Sequence, residues 1–97
     1  MPKYYPYKIS GYYLYYTSHC TLECMHVHAS DKGLSERGAA KFFVRSDGST
    51  EVTDKGNLKE KDISEIQRFI KDNYKEMYAT WRIMSDKGYF EEENESE

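Results

Sequence analysis

The sequence predicts an α+β domain: a small antiparallel sheet of three to four strands packed by one long C-terminal helix. Three observations carry that reading. Residues 11–54 alternate with period two between polar breaks. Residues 57–85 place apolar side chains in steps of three and four. The chain has 97 residues, enough for one domain that buries roughly 60–65% of its unfolded surface.

The elements follow in order. Residues 1–10 carry Pro2 and Pro6 among three tyrosines and read as an extended lead-in or edge strand, because proline donates nothing to a sheet ladder. "GYYLYYTS", residues 11–18, is an aromatic strand with Tyr12, Leu14 and Tyr16 on one face and Tyr13 and Tyr15 on the other. "HCTLE", residues 19–23, is a connection. "CMHVHAS" resumes the strand pattern, with Met25, Val27 and Ala29 facing one way and His26, His28 and Ser30 the other. Residues 31–38 are a polar loop, "AAKFFVR" at 39–45 is the third strand, and "SDGS" is a tight turn into a short strand at 50–54.

The helix spans about Asn57 to Ser85. Its stripe is Leu58, Ile63, Ile66, Ile70, Met77, Trp81 and Met84, flanked by Tyr74 and Tyr78. Two starts fit: Asn57 as cap with Glu60, or Asp62 with Glu65. Gly88 is the natural stop. Such a helix lies across the sheet and its last turns overhang. The domain covers residues 1–90, and residues 91–97 are expected to be a disordered acidic tail.

Composition narrows the function. Ten tyrosines, four phenylalanines and one tryptophan stand in for scarce aliphatic residues, which predicts a thin, half-wet core. The tail takes five of the 17 acids and no base, so residues 1–90 hold 14 basic and 12 acidic side chains. That near-neutral body lacks the basic footprint of nucleic-acid binding. No apolar run approaches the ~18 residues of a membrane span, and the N-terminus lacks a secretory core. Cys20 and Cys24 therefore read as reduced thiols of a cytoplasmic protein.

The chemistry-bearing segment is "HCTLECMHVH". His26 and His28 share a strand face, and His19, Cys20, Glu23 and Cys24 lie close in sequence. Zinc takes imidazole and thiolate, so His26, His28, His19 and Cys24 are the candidate metal ligands. The ordinary alternative is the polar face of a strand. A phosphate-cleaving reading would add Tyr74 or Tyr78 as nucleophile beside a metal on the histidine pair. A cysteine hydrolase would use Cys20 or Cys24 with a histidine. Tyr13 and Tyr15, with Lys3, Lys8, Lys41 and Arg45, offer a stacking platform for single-stranded nucleic acid. Tyr13, Tyr15 and Trp81 equally suit a protein-contact surface, since such residues favour interfaces.

The order of these signals resembles a bacterial family, domain-of-unknown-function family 4160. The resembling features are Met1-Pro2, the aromatic strand at 11–18, His26-Val27-His28, the small-plus-aromatic strand at 39–44, Asn73 and the closing Trp81. They span roughly residues 1–90. Where the family has two prolines before the histidine pair, this chain has Cys24 and Met25. The histidine pair is thus a family feature and the cysteines are not. The resemblance implies a small bacterial protein without assigned activity, in some relatives paired with a second small protein in a toxin–antitoxin-like arrangement. The leading expectation is a protein-binding accessory or regulatory module, bound to another protein or to a second copy of itself. The rivals are a metal-dependent nuclease or hydrolase with zinc on His26 and His28, and a single-strand binder.

Overall fold

The structure is a computed structural model that describes residues 3–16, 23–31 and 38–90. Four antiparallel strands, β1 (Tyr13–Tyr15), β2 (His26–Ser30), β3 (Ala40–Val44) and β4 (Thr50–Asp54), form one sheet in the order β1-β2-β3-β4, and one helix, α1 (Glu60–Met84), follows. This is the α+β meander-plus-helix that the alternation and the helical stripe predict.

Register sorts the two sheet faces. Leu14 pairs with Ala29, Val27 with Phe42, and Phe42 with Val52. These residues share one face and meet Ile63, Ile66, Ile70, Met77 and Trp81 of α1 in a single hydrophobic cluster. Helix spacing of three and four aligns those five side chains on one stripe. At 1.5 Å per residue the 25-residue helix is ~37 Å long, which accounts for the molecule's 39 Å long axis.

The β3–β4 hairpin turns where Asp47-Gly48 predicts. Gly48 has φ 88°, and a Cβ there would meet the Tyr74 ring at 2.6 Å. The glycine thus serves both the left-handed turn and the close passage of α1. Asp47 accepts from the Ser49 N–H at 2.9 Å and the Ser49 hydroxyl at 2.6 Å.

Three expectations change. α1 starts at Glu60, with Lys59 as the extended capping residue. Asn57 does not cap it, because the cap position falls two residues later at Lys59; its backbone N–H donates to the Gly38 carbonyl at 2.9 Å. Asp62 acts from inside the first turn: it accepts from the Lys59 N–H at 3.4 Å and the Ser10 hydroxyl at 2.8 Å. That ties the Ser10-Gly11 turn to the helix start.

The core is also not built of tyrosine. Aliphatic residues, Met25, Met77, Phe42 and Trp81 fill it, and only Tyr4 and Tyr15 are buried. Most other tyrosines stand at the rim, where a ring packs inward and its hydroxyl reaches outward. Tyr5 packs edge-on to Phe69 and donates to Glu76 at 2.6 Å.

Finally, the helix ends before Gly88. The chain leaves at Ser85 in extended conformation and folds back over the sheet end. The Trp81 indole N–H donates to the Lys87 carbonyl at 2.9 Å. The Met25 N–H donates to Gly88 at 2.9 Å, and the Phe90 N–H to Val44 at 2.8 Å. Trp81 is therefore the staple of this return. The acidic tail at 91–97, His19 and Cys20 lie outside the described residues.

Candidate functional site

The face of the sheet away from α1 carries the chemistry. Register sets Tyr13 beside Ser30, and the row Tyr15, His28, Lys41 across three strands. The next row is His26, Phe43, Glu51. β2 is buried on both of its faces, not on one. His26 is 1% exposed and His28 is 7% exposed. The ordinary expectation for the pair is a polar strand face, at the surface or covered; here that face is covered, and aromatic rings surround both imidazoles.

The two imidazoles touch. Their ring centres are 5.0 Å apart at an interplanar angle of 86°. His28 lies against Tyr15 at 5.3 Å. His26 is enclosed by Phe43 at 5.2 Å and Trp81 at 5.7 Å. Its Nδ1 stands 2.9 Å from the Cys24 carbonyl. A carbonyl only accepts, so Nδ1 carries the proton and Nε2 keeps the lone pair.

Burial pushes the His26 pKa down from 6.5 to about 4. The Cys24 bond and Glu23 oppose that shift, while His28 and Lys41 reinforce it. His26 is neutral at pH 7. Glu23 reaches Lys41 at 2.8 Å and stands 3.7 Å from His26 Nδ1. The Lys41 hydrogen bond holds its carboxyl below the usual range, against some desolvation. Around this centre runs a half-buried aromatic rim paired with cations. Lys3 and Lys8 stand 4.2 and 5.4 Å from the Tyr13 ring centre. Lys41 is 4.8 Å from that of Phe43, and Arg45 is 5.6 Å from that of Phe90.

A match to a family model now adds to this geometry. The model describes a domain of unknown function and matches residues 11–82, more than half of the chain. The chain belongs to the DUF4160 family. No curated protein and no solved structure matches it. The DUF4160 match covers the aromatic strand, the histidine pair and Trp81, the features that carry the resemblance in sequence.

In this DUF4160 member the sequence-derived candidates sort as follows. His26 and His28 come together. Cys24 contributes its carbonyl to His26 and is itself half-buried. Among the described residues no group of three or more His, Cys, Asp or Glu side chains is placed to hold a metal ion. Tyr13 is half-buried at the rim. Tyr15 and Trp81 are fully buried, so neither presents a contact surface. Their rings fill interior positions.

Tyr74 and Tyr78 belong to a flank of α1, where Tyr78 stacks on Tyr89 at 3.9 Å. α1 packs on the opposite sheet face, and the rings of Tyr74 and Tyr78 lie against Tyr89. An open hollow beside Asp72, Asn73, Tyr74, Lys75 and Glu76 shares none of these lining residues with the histidine cluster. Sequence reasoning missed Phe43, Phe90 and the Glu23–Lys41 pair. Alternation could have placed Phe43 and Lys41 on the histidine face. Nothing periodic signals Phe90, which arrives through the return after α1. No helix among the described residues is long and apolar enough to cross a membrane.

Proposed function

We propose that this protein is a binding module, an accessory or regulatory subunit that engages another protein through the histidine face of its sheet. The observation that carries this is the rim on that face. Tyr13, Phe43 and Phe90 are half-buried and each lies under a lysine or arginine. Aromatic residues and arginine are the side chains most enriched at protein interfaces. The buried imidazoles of His26 and His28 lie beneath them. An antitoxin-like role beside a second small protein, and a cytoplasmic location, are the finer form of this reading and rest on the family resemblance.

The test is photo-crosslinking in the native cell, with a photoreactive residue at position 13, 43 or, as control, 61 on the exposed side of α1. A discrete adduct from positions 13 and 43 but not 61 supports the module. Adducts formed equally from position 61, or none from the sheet face, overturn it.

A further inference from the structure

We propose that His26 and His28 form a two-histidine site for a borderline divalent cation of the zinc class. The inference is independent of the partner-binding reading. Two observations carry it. With metal–nitrogen bonds of about 2.0–2.1 Å, plus about 1.1 Å from nitrogen to ring centre, two imidazoles on one tetrahedral ion have centres about 5 Å apart. The His26 and His28 rings stand at 5.0 Å.

The second observation is the tautomer. A metal-binding imidazole donates its other N–H to a carbonyl or carboxylate, which orients the ring and raises its basicity. His26 donates Nδ1–H to the Cys24 carbonyl at 2.9 Å, with the Glu23 carboxylate 3.7 Å away. Nε2 is thereby left as the ligating atom. The surroundings suit the ion in part. Phe43 and Trp81 dry the His26 side, and Glu23 neutralises the nearby Lys41 ammonium.

Two imidazoles supply half of a tetrahedral set, and among the described residues no third His, Cys, Asp or Glu joins them. The site is thus an exchangeable one, unlike closed four-ligand structural zinc. Imidazole donors select zinc, nickel and copper over magnesium and calcium.

The test is titration of the full chain, stripped with EDTA and dialysed, with zinc chloride and then cobalt chloride. One equivalent is expected to bind, with the ring signals of His26 and His28 moving together in the NMR spectrum. His26→Gln and His28→Gln should each weaken binding at least tenfold. Absence of saturable binding up to ~1 mM metal, or binding unchanged in both variants, overturns the site and leaves ring packing only. If a variant fails to fold, the wild-type spectrum decides. Zinc that moves neither ring, or the His19 ring alone, also overturns the proposal.

Discussion

Acid should unfold this protein earlier than its carboxylates require, and His26 is the reason. Its imidazole titrates near 6.5 when exposed and near 4 when buried. Between those values the unfolded chain binds the extra proton and the folded chain does not. Stability is therefore whole above pH 6.5, falls as the pH drops through the window from 6.5 to 4, and stops changing on this account below 4. The shift is worth about 3 kcal/mol in full, and about 2 kcal/mol is lost between pH 7 and 4.5. That is a large share of the roughly 5–15 kcal/mol that holds a typical domain. Glu23, Asp47 and Asp62 also have lowered pKa values. They lose their contribution only as pH falls below the ordinary carboxylate range, so most of the window belongs to histidine. The assay is urea unfolding followed by circular dichroism, in EDTA at constant ionic strength, on wild type and His26→Gln. The glutamine amide can still donate to Cys24 but does not titrate. Wild type should lose about 2 kcal/mol more than the variant between pH 7 and 4.5. Parallel curves for the two proteins would refute the reasoning.

Other substitutions probe the frame of the site. Ile66→Ala removes a fully buried side chain from the α1 stripe and should cost about 2–5 kcal/mol in chemical denaturation. Ile83→Ala, at 86% exposure, should change stability by less than ~0.5 kcal/mol in the same assay. Gly48→Ala meets both a positive φ and the Tyr74 ring; a loss of more than about 1 kcal/mol by thermal melting is expected. Trp81→Phe keeps a ring but removes the indole donor to Lys87. Hydrogen exchange should then quicken at Met25 and Phe90, whose N–H groups hold the return segment, before the rest of the sheet responds.

Much of the fold was legible because it is periodic. Steps of three and four placed Ile63, Ile66, Ile70, Met77 and Trp81 on the stripe that the structure buries. Period two separated Val27 from His26 and His28, and the register keeps them apart. What failed to show in sequence is non-periodic. Asn57 looked like a cap, but the cap position falls at Lys59. Asp62 is held by Ser10, 52 residues away. Trp81 was legible as part of the stripe, but the return that its indole N–H holds at Lys87 was not.

The same distinction explains β2. Alternation says which side chains share a face, but not what lies over that face. A small domain short of apolar volume gains most by burying apolar side chains, and a buried imidazole costs free energy unless it is bonded. Here the central strand buries His26 and His28 rather than two valines, and holds one of them by a bond to Cys24. Local rules and global need agree along α1 and disagree at β2. Natural sequences keep such disagreements mainly where a function uses them. For this DUF4160 member, Val substitution at both histidines gives that argument a direct consequence. If β2 were only structural, the double variant should be at least as stable as wild type and fully active in its partner contact; if the face works through its imidazoles, stability should hold or rise while binding is lost.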